Sequence, residues 1–225
     1  MKSYAIIPSG GESKRFGGEI PKQYLKIFGK EIIVYTLEIF QNCEMIDDIV
    51  IVARPEYFAL LKDLKLKYKL SKVTNIVEGG KERQDSVFNG LSSLTANEDD
   101  IIAVHDAARP LLSASVLKNA LNTAKIYDNV VVAIKARDTL LKGIKNVEEY
   151  VDRESIYYAQ TPQVFKYKIL IDSLKKANTE NFVGTDESMV VKRAGNIVEI
   201  VEGELKNFKI TTSSDIDLFK SIISN

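Results

Sequence analysis

The sequence predicts an α/β fold: a Rossmann-like, doubly wound and mostly parallel sheet with a β-arm projecting from it. Three observations predict it. Short apolar runs recur along the chain, segments with helical spacing lie between them, and one stretch breaks the alternation with two strand-like pieces and no helix. A chain of 225 residues that is 45% hydrophobic can bury a full core, and a single domain over 1–225 is the expectation.

The first apolar run, 4–7, is a strand that opens into a glycine-rich loop. Ile33, Leu37 and Phe40 then fall on one helical face, and 49–52 is the second strand. Val87, Leu91 and Leu94 mark the next helix and 101–104 the next strand. Val116, Leu117, Ala120, Leu121 and Ala124 mark another helix, which Ser113 or Ser115 can cap; strand 130–134 follows. Residues 137–160 read as the arm, with its turn near 143–146, either packed on its own subunit or serving a dimer. Strand 197–201 and a closing helix with Ile216, Phe219, Ile222 and Ile223, capped by Ser214, complete the reading. Several of the runs are rich in β-branched residues and uninterrupted, as in parallel strands buried on both faces.

Bulk charge narrows the function. Lys plus Arg number 31 and Asp plus Glu number 31, so no global basic field exists to collect nucleic acid or anionic lipid. Cys43 is the only cysteine, which excludes an internal disulfide and fits a reducing compartment. With no charged-then-apolar leader and no run of membrane-spanning length, a soluble cytoplasmic protein is expected.

Anion binding must therefore be local, and the loop 8–24, PSGGESKRFGGEIPKQY, is built for it. Glycines 10, 11, 17 and 18 permit positive φ and close backbone approach, while successive exposed amides form an anion-binding concavity. Lys14, Arg15, Lys22 and Lys26 add fixed positive charge. The loop matches neither G-x-x-x-x-G-K-[ST] nor G-x-G-x-x-G, which demotes P-loop hydrolysis and nicotinamide chemistry. Downstream, the glycine turn 78–86 (EGGKERQDS) enters a helix, where Arg83 and Ser86 can bond a base edge or a phosphate. The segment 105–110 (HDAARP) follows a strand end, where open α/β sheets bind ligands. Asp106 is placed there to hold a magnesium ion and substrate oxygens. Arg109 suits a phosphate or a structural ion pair equally, and His105, the only histidine, reads as a hydrogen-bonded structural residue.

Further clusters extend the pattern, and together they resemble the 2-C-methyl-D-erythritol 4-phosphate cytidylyltransferases. The pieces are PKQY at 21–24, ERQDSV at 82–87, HDAARP at 105–110, RDT at 137–139, VDR at 151–153, QTPQ at 160–163, TDE at 185–187 and NFKIT at 207–211. The resemblance implies transfer of CMP from CTP to a polyol phosphate, with release of pyrophosphate. It implies Arg15 and Lys22 as paired catalytic cations and Lys209 as a third. It puts Pro8, Ser9, Gly10 and Gly11 in the nucleotide cradle with Arg83, cytosine at Gly80 and Ser86, and ribose and metal near Asp106 and Ala107. Arg109, Thr139, Arg153, Thr161, Thr185 and Lys209 fall around the acceptor, Thr139 and Arg153 coming from the partner's arm in a homodimer.

Ser13, the Ser9-Gly10 pair and Lys81 depart from the family's usual residues. Two other readings stand beside this one: a ribitol 5-phosphate cytidylyltransferase and a non-catalytic nucleotide-binding protein. HDAARP, rather than HDSVRP, and VDR before QTPQ favour the first family.

Overall fold

The structure is a computed structural model that describes residues 1–11 and 20–224. Ser13, Lys14, Arg15, Gly17 and Gly18 lie outside the described residues. Among those described, the strands are β1 (Ser3–Pro8), β2 (Lys26–Ile27), β3 (Lys30–Glu31), β4 (Asp48–Ala53), β5 (Val73–Glu78), β6 (Ile101–Val104), β7 (Asn129–Lys135), β8 (Leu140–Lys142), β9 (Glu149–Val151), β10 (Tyr157–Lys166) and β11 (Glu199–Glu202). The α-helices are α1 (Ile32–Gln41), α2 (Phe58–Lys67), α3 (Arg83–Ser92), α4 (Ala114–Tyr127), α5 (Tyr167–Thr179), α6 (Glu187–Arg193) and α7 (Ser213–Ile223).

Seven strands form one sheet in the order β11-β7-β10-β6-β1-β4-β5. Every neighbouring pair is parallel except those of β10, which runs antiparallel to both β6 and β7. The alternation of side chains explains the uninterrupted apolar runs. Ala5, Ile7, Ile49, Ile51, Ile101 and Ala103 face α1, α2 and α4, while Tyr4, Ile6, Val50, Val52, Ile102 and Val104 face α3, α5 and α6. Fully burying each such branched side chain contributes about 1.5–3 kcal/mol. A third cluster, Ile27, Ile32, Ala108, Ile210, Ile216 and Phe219, seats α7 beside the β2–β3 ribbon.

The structure corrects several sequence expectations. The last strand lies two residues further on, at Glu199–Glu202, because Ile197 is exposed and only Val201 of that run enters the core. Strands β5 and β10 and helices α2, α5 and α6 were not foreseen. Ser113 does cap α4, accepting from the Val116 amide at 3.2 Å. The closing helix is capped by Thr212 rather than Ser214, since Asp215 reaches back to the Thr212 amide at 2.8 Å in a reciprocal cap. Gly10 and Gly11 are not in the positive-φ region.

The arm is the β8–β9 hairpin, paired Leu140↔Val151 and Lys142↔Glu149. Its root is nearer than expected, since Tyr157, Tyr158 and Ala159 already pair with β7 in the main sheet. The hairpin leaves Leu141, Ile144, Val147 and Tyr150 exposed. No helix among the described residues is long and apolar enough to cross a membrane.

Candidate active site

The chain order of the strands dictates where a cleft opens. From β1 it moves outward on one side to β4 and β5, then returns to β6 on the other side of β1. The loops leaving the carboxyl ends of β1 and β6 therefore diverge, and a crevice forms between them. It is a cleft of about 780 Å³, walled by Pro8–Gly11 after β1, Arg54 and Pro55 after β4, 78–83 after β5, and Asp106–Ala108 after β6. Lys22, Gln23, Ser86, Lys209 and Thr211 complete it.

The wall after β5 is held by compact local bonding. The Ser86 hydroxyl accepts from the Gly80 amide and donates to the Glu82 carbonyl, both at 3.1 Å. Glycine is required at 80 because a Cβ there would collide with Asp85, and a Cβ at Gly79 would sit 3.0 Å from the Ser86 Oγ.

Opposite lies a charged cluster centred on Asp106. Its Oδ2 takes Arg109 Nε and Lys209 Nζ, both at 3.1 Å, while its Oδ1 lies 3.4 Å from Arg83. Burial alone would raise the Asp106 pKa, but Lys209, Arg83 and Arg109 outweigh it and hold the carboxyl well below the usual carboxylate range. Arg83 is also gripped by both oxygens of the buried Glu187, at 2.5 and 2.6 Å. Burial opposes its charge, yet Glu187 and Asp106 hold the guanidinium above its ordinary pKa; burial pushes the Glu187 carboxyl up. Three cations around two carboxylates leave the cluster one charge positive, which suits an anionic ligand.

Behind this cluster stands a buried scaffold. His105 is fully buried, with Nε2 3.1 Å from the Arg109 carbonyl and Nδ1 3.0 Å from the Thr161 hydroxyl. Burial pushes its pKa down to about 4, so it is neutral near pH 7, and it supports the loop as the sequence suggested. Thr161 also accepts from the Asp106 amide at 3.1 Å. Asn207 bonds Gln160 and the Thr161 carbonyl through its amide and receives Arg109 on its backbone carbonyl at 2.8 Å. This ties the irregular segment bearing Lys209, between β11 and α7, to the loop bearing Asp106.

The fold thus brings Pro8, Ser9, Gly10, Gly11, Lys22, Gly80, Arg83, Ser86, Asp106, Ala107 and Lys209 to one cleft. Arg109 does not line the cleft but supports it as the ion-pair partner of Asp106. Thr161 is buried behind it, and Thr185 is engaged with Met189 outside it. Thr139 and Arg153 sit at the root of the arm, where Arg153 donates to the Arg137 carbonyl at 2.7 Å. Sequence reasoning gave no individual role to Gln23, Glu78, Glu82, Thr211 and Glu187, though each falls within a quoted motif, and it missed Arg54 altogether. Arg54 was discoverable, because it follows an apolar run just as His105-Asp106 does.

Among the described residues no three His, Cys, Asp or Glu side chains converge on a metal position. Asp106 Oδ1 nevertheless has acceptor capacity left, because 3.4 Å from Arg83 exceeds a well-formed charge-assisted bond. One carboxylate beside this cleft does not fit an all-protein cage; it fits a magnesium ion that takes most of its ligands from phosphate and water.

Comparison with known proteins agrees with this geometry. Residues 3–225 match the family described as 2-C-methyl-D-erythritol 4-phosphate cytidylyltransferase. A protein of that name from Geotalea uraniireducens is 39% identical over 100% of this chain and 98% of its own. One from Clostridium botulinum strain Langeland is 38% identical over 99% and 97%. The crystal structure of 4-diphosphocytidyl-2C-methyl-D-erythritol synthase from Anaerococcus prevotii superposes with a TM-score of 0.87 at 27% identity, covering 100% of this chain and 96% of that one. The Francisella tularensis 2-C-methyl-D-erythritol 4-phosphate cytidylyltransferase gives 0.84 at 31% identity, covering 98% and 99%.

Proposed function

Because the chain belongs to the 2-C-methyl-D-erythritol 4-phosphate cytidylyltransferase family, we propose that it transfers CMP from CTP to 2-C-methyl-D-erythritol 4-phosphate. The products are 4-diphosphocytidyl-2-C-methyl-D-erythritol and pyrophosphate. The observation that carries the site assignment is the convergence of Lys22, Lys209 and Asp106 at the crevice between β1 and β6.

The chemistry explains why cations dominate this cleft. A phosphate monoester has a second pKa of about 6, so the attacking oxygen needs no general base near neutral pH. The obstacle is repulsion between two anions and the charge that accumulates around the α-phosphorus. Lys22 and Lys209, with Arg15 from the segment outside the described residues, supply fixed positive charge there. Each preorganised charge of this kind is worth roughly 3 kcal/mol in a water-poor site. The turn 78–86, with Gly80 and Ser86, receives the cytosine, and Arg83 and Asp106 close the ribose side with Ala107. The family likeness assigns Arg109, Thr161 and Thr185 to the acceptor, Arg109 and Thr161 acting from behind Asp106 rather than from the cleft lining. Magnesium held by Asp106 and the substrate phosphates would add charge neutralisation. Asp106 itself orients Lys209 and Arg83 through the ion pairs described.

The acceptor side is completed, on this reading, by Thr139 and Arg153 of a second copy in a homodimer. The exposed apolar side chains Leu141, Ile144, Val147 and Tyr150 on the projecting hairpin support that role. Pyrophosphate release with CTP, magnesium and each acceptor tests the function. Turnover with the methylerythritol phosphate is expected, and preferential use of ribitol 5-phosphate would overturn it.

A further inference from the structure

Gln23 lies beside Lys22, yet its neutral amide turns its donors inward rather than to open solvent. It is 4% exposed, and its amide nitrogen donates to the Ser9 carbonyl at 2.6 Å and to the Gly11 carbonyl at 3.1 Å. One amide group therefore joins two stretches of chain that both line the cleft: the residues leaving β1 and the short turn Lys22–Tyr24. Tyr24 reinforces the joint. Its hydroxyl lies 3.1 Å from the Ser9 Oγ and 3.2 Å from the Ser9 carbonyl, and its ring stacks on Tyr57 at 4.2 Å between centroids. Ser9 is pinned in turn to the Val52 carbonyl through its amide at 2.7 Å and its hydroxyl at 3.0 Å.

The chemistry of the joint explains the residue type. Two carbonyl oxygens must be satisfied from a single terminal nitrogen, which needs the two N–H donors of a primary amide. Glutamate would present oxygens to oxygens, and alanine would leave buried carbonyls without these donors. Because the peptide unit is planar and trans, fixing the Ser9 carbonyl also fixes the Gly10 N–H on the opposite side. Lysine, by contrast, carries about 2 kcal/mol of rotamer entropy, so a backbone that wandered at residue 22 would leave its ammonium poorly aimed.

We propose that Gln23 is a positioning residue for nucleotidyl transfer: it locks the Lys22 turn to the Ser9–Gly11 backbone so that both meet one triphosphate. The proposal rests on the cytidylyltransferase reading for its reaction. It does not rest on that reading for its geometry.

The test is a double-mutant cycle of Gln23→Ala and Lys22→Ala, with pyrophosphate release and CTP affinity by calorimetry as separate readouts and thermal unfolding as the check on folding. If Gln23 acts through Lys22, Gln23→Ala lowers kcat/KM by about 100-fold in the native background, as expected for a misplaced catalytic group. In the Lys22→Ala background the same change should cost less than about 3-fold, since coupled residues are non-additive. Equal losses in the two backgrounds, or no loss in either, would overturn the proposal. Gln23→Met gives a second route should the alanine variant not fold: it keeps the buried volume and has no N–H donors, so it must show the same coupling. A wild-type chain that binds CTP but does not use the acceptor would sink the proposed function alone, because the Gln23–Lys22 coupling would still be read in CTP affinity.

Discussion

His105 illustrates how a residue that resembles a catalytic base serves as a strut. Its two ring nitrogens are committed to the Arg109 carbonyl and the Thr161 hydroxyl, and its pKa falls from 6.5 to about 4 because burial disfavours the imidazolium. Below pH 6.5 the unfolded chain takes up this proton before the folded one does. The contribution is therefore complete above 6.5 and is lost as pH falls toward 4, with a slope of up to about 1.4 kcal/mol per pH unit. Urea unfolding between pH 7 and pH 5 should show that component in the native chain and not in His105→Gln. Glu187 is the complementary case, a buried carboxylate that divides Arg83 between itself and Asp106. Glu187→Gln should destabilise by about 3 kcal/mol, the low end for breaking a buried pair, because Arg83 keeps its second partner. Denaturant midpoints at pH 7 would check this.

At the scale of elements, α3 lies unusually close to the sheet. A Cβ at Gly90 would be 2.9 Å from both the Ile6 and Val52 methyl carbons, closer than packed cores tolerate. Gly90→Ala should destabilise by about 1–3 kcal/mol through overpacking, despite alanine's better helix propensity, and thermal unfolding would show it. The central elements were legible in the sequence for a simple reason. Runs such as 4–7 and 101–104 are buried on both faces, so composition alone marks them. Strand β5 was hidden because it is a half-buried edge carrying Thr74 and Asn75. Strand β10 was hidden because its buried middle is polar, and Gln160, Thr161 and Gln163 are satisfied by partners far away in the chain. The same distinction governs the site. Asp106 and Lys22 announce themselves by type and by their place after strands, whereas the Arg83–Glu187 pair spans 104 positions and has no local signature.

For the whole molecule, the antiparallel β10 holds the sheet together between β6 and β7, and its pairing has a gap. Residues 157–159 pair with β7, the register then shifts, and pairing resumes at Gln163 with both neighbours. Thr161 sits in the gap, bonded to the Asp106 amide. The strand is thus two stiff rods meeting at a fulcrum: one rod continues toward the hairpin, and the fulcrum touches the loop that carries the central carboxylate. Leverage follows from that arrangement. Tilting the hairpin would bear on Asp106, and clamping Asp106 with nucleotide would stiffen the hairpin's root. Saturating CTP should accordingly slow amide hydrogen exchange at Tyr157–Ala159, several residues from any group that touches the nucleotide, and Thr161→Val should weaken the slowing by removing the hydroxyl that joins the fulcrum to the Asp106 amide and to His105.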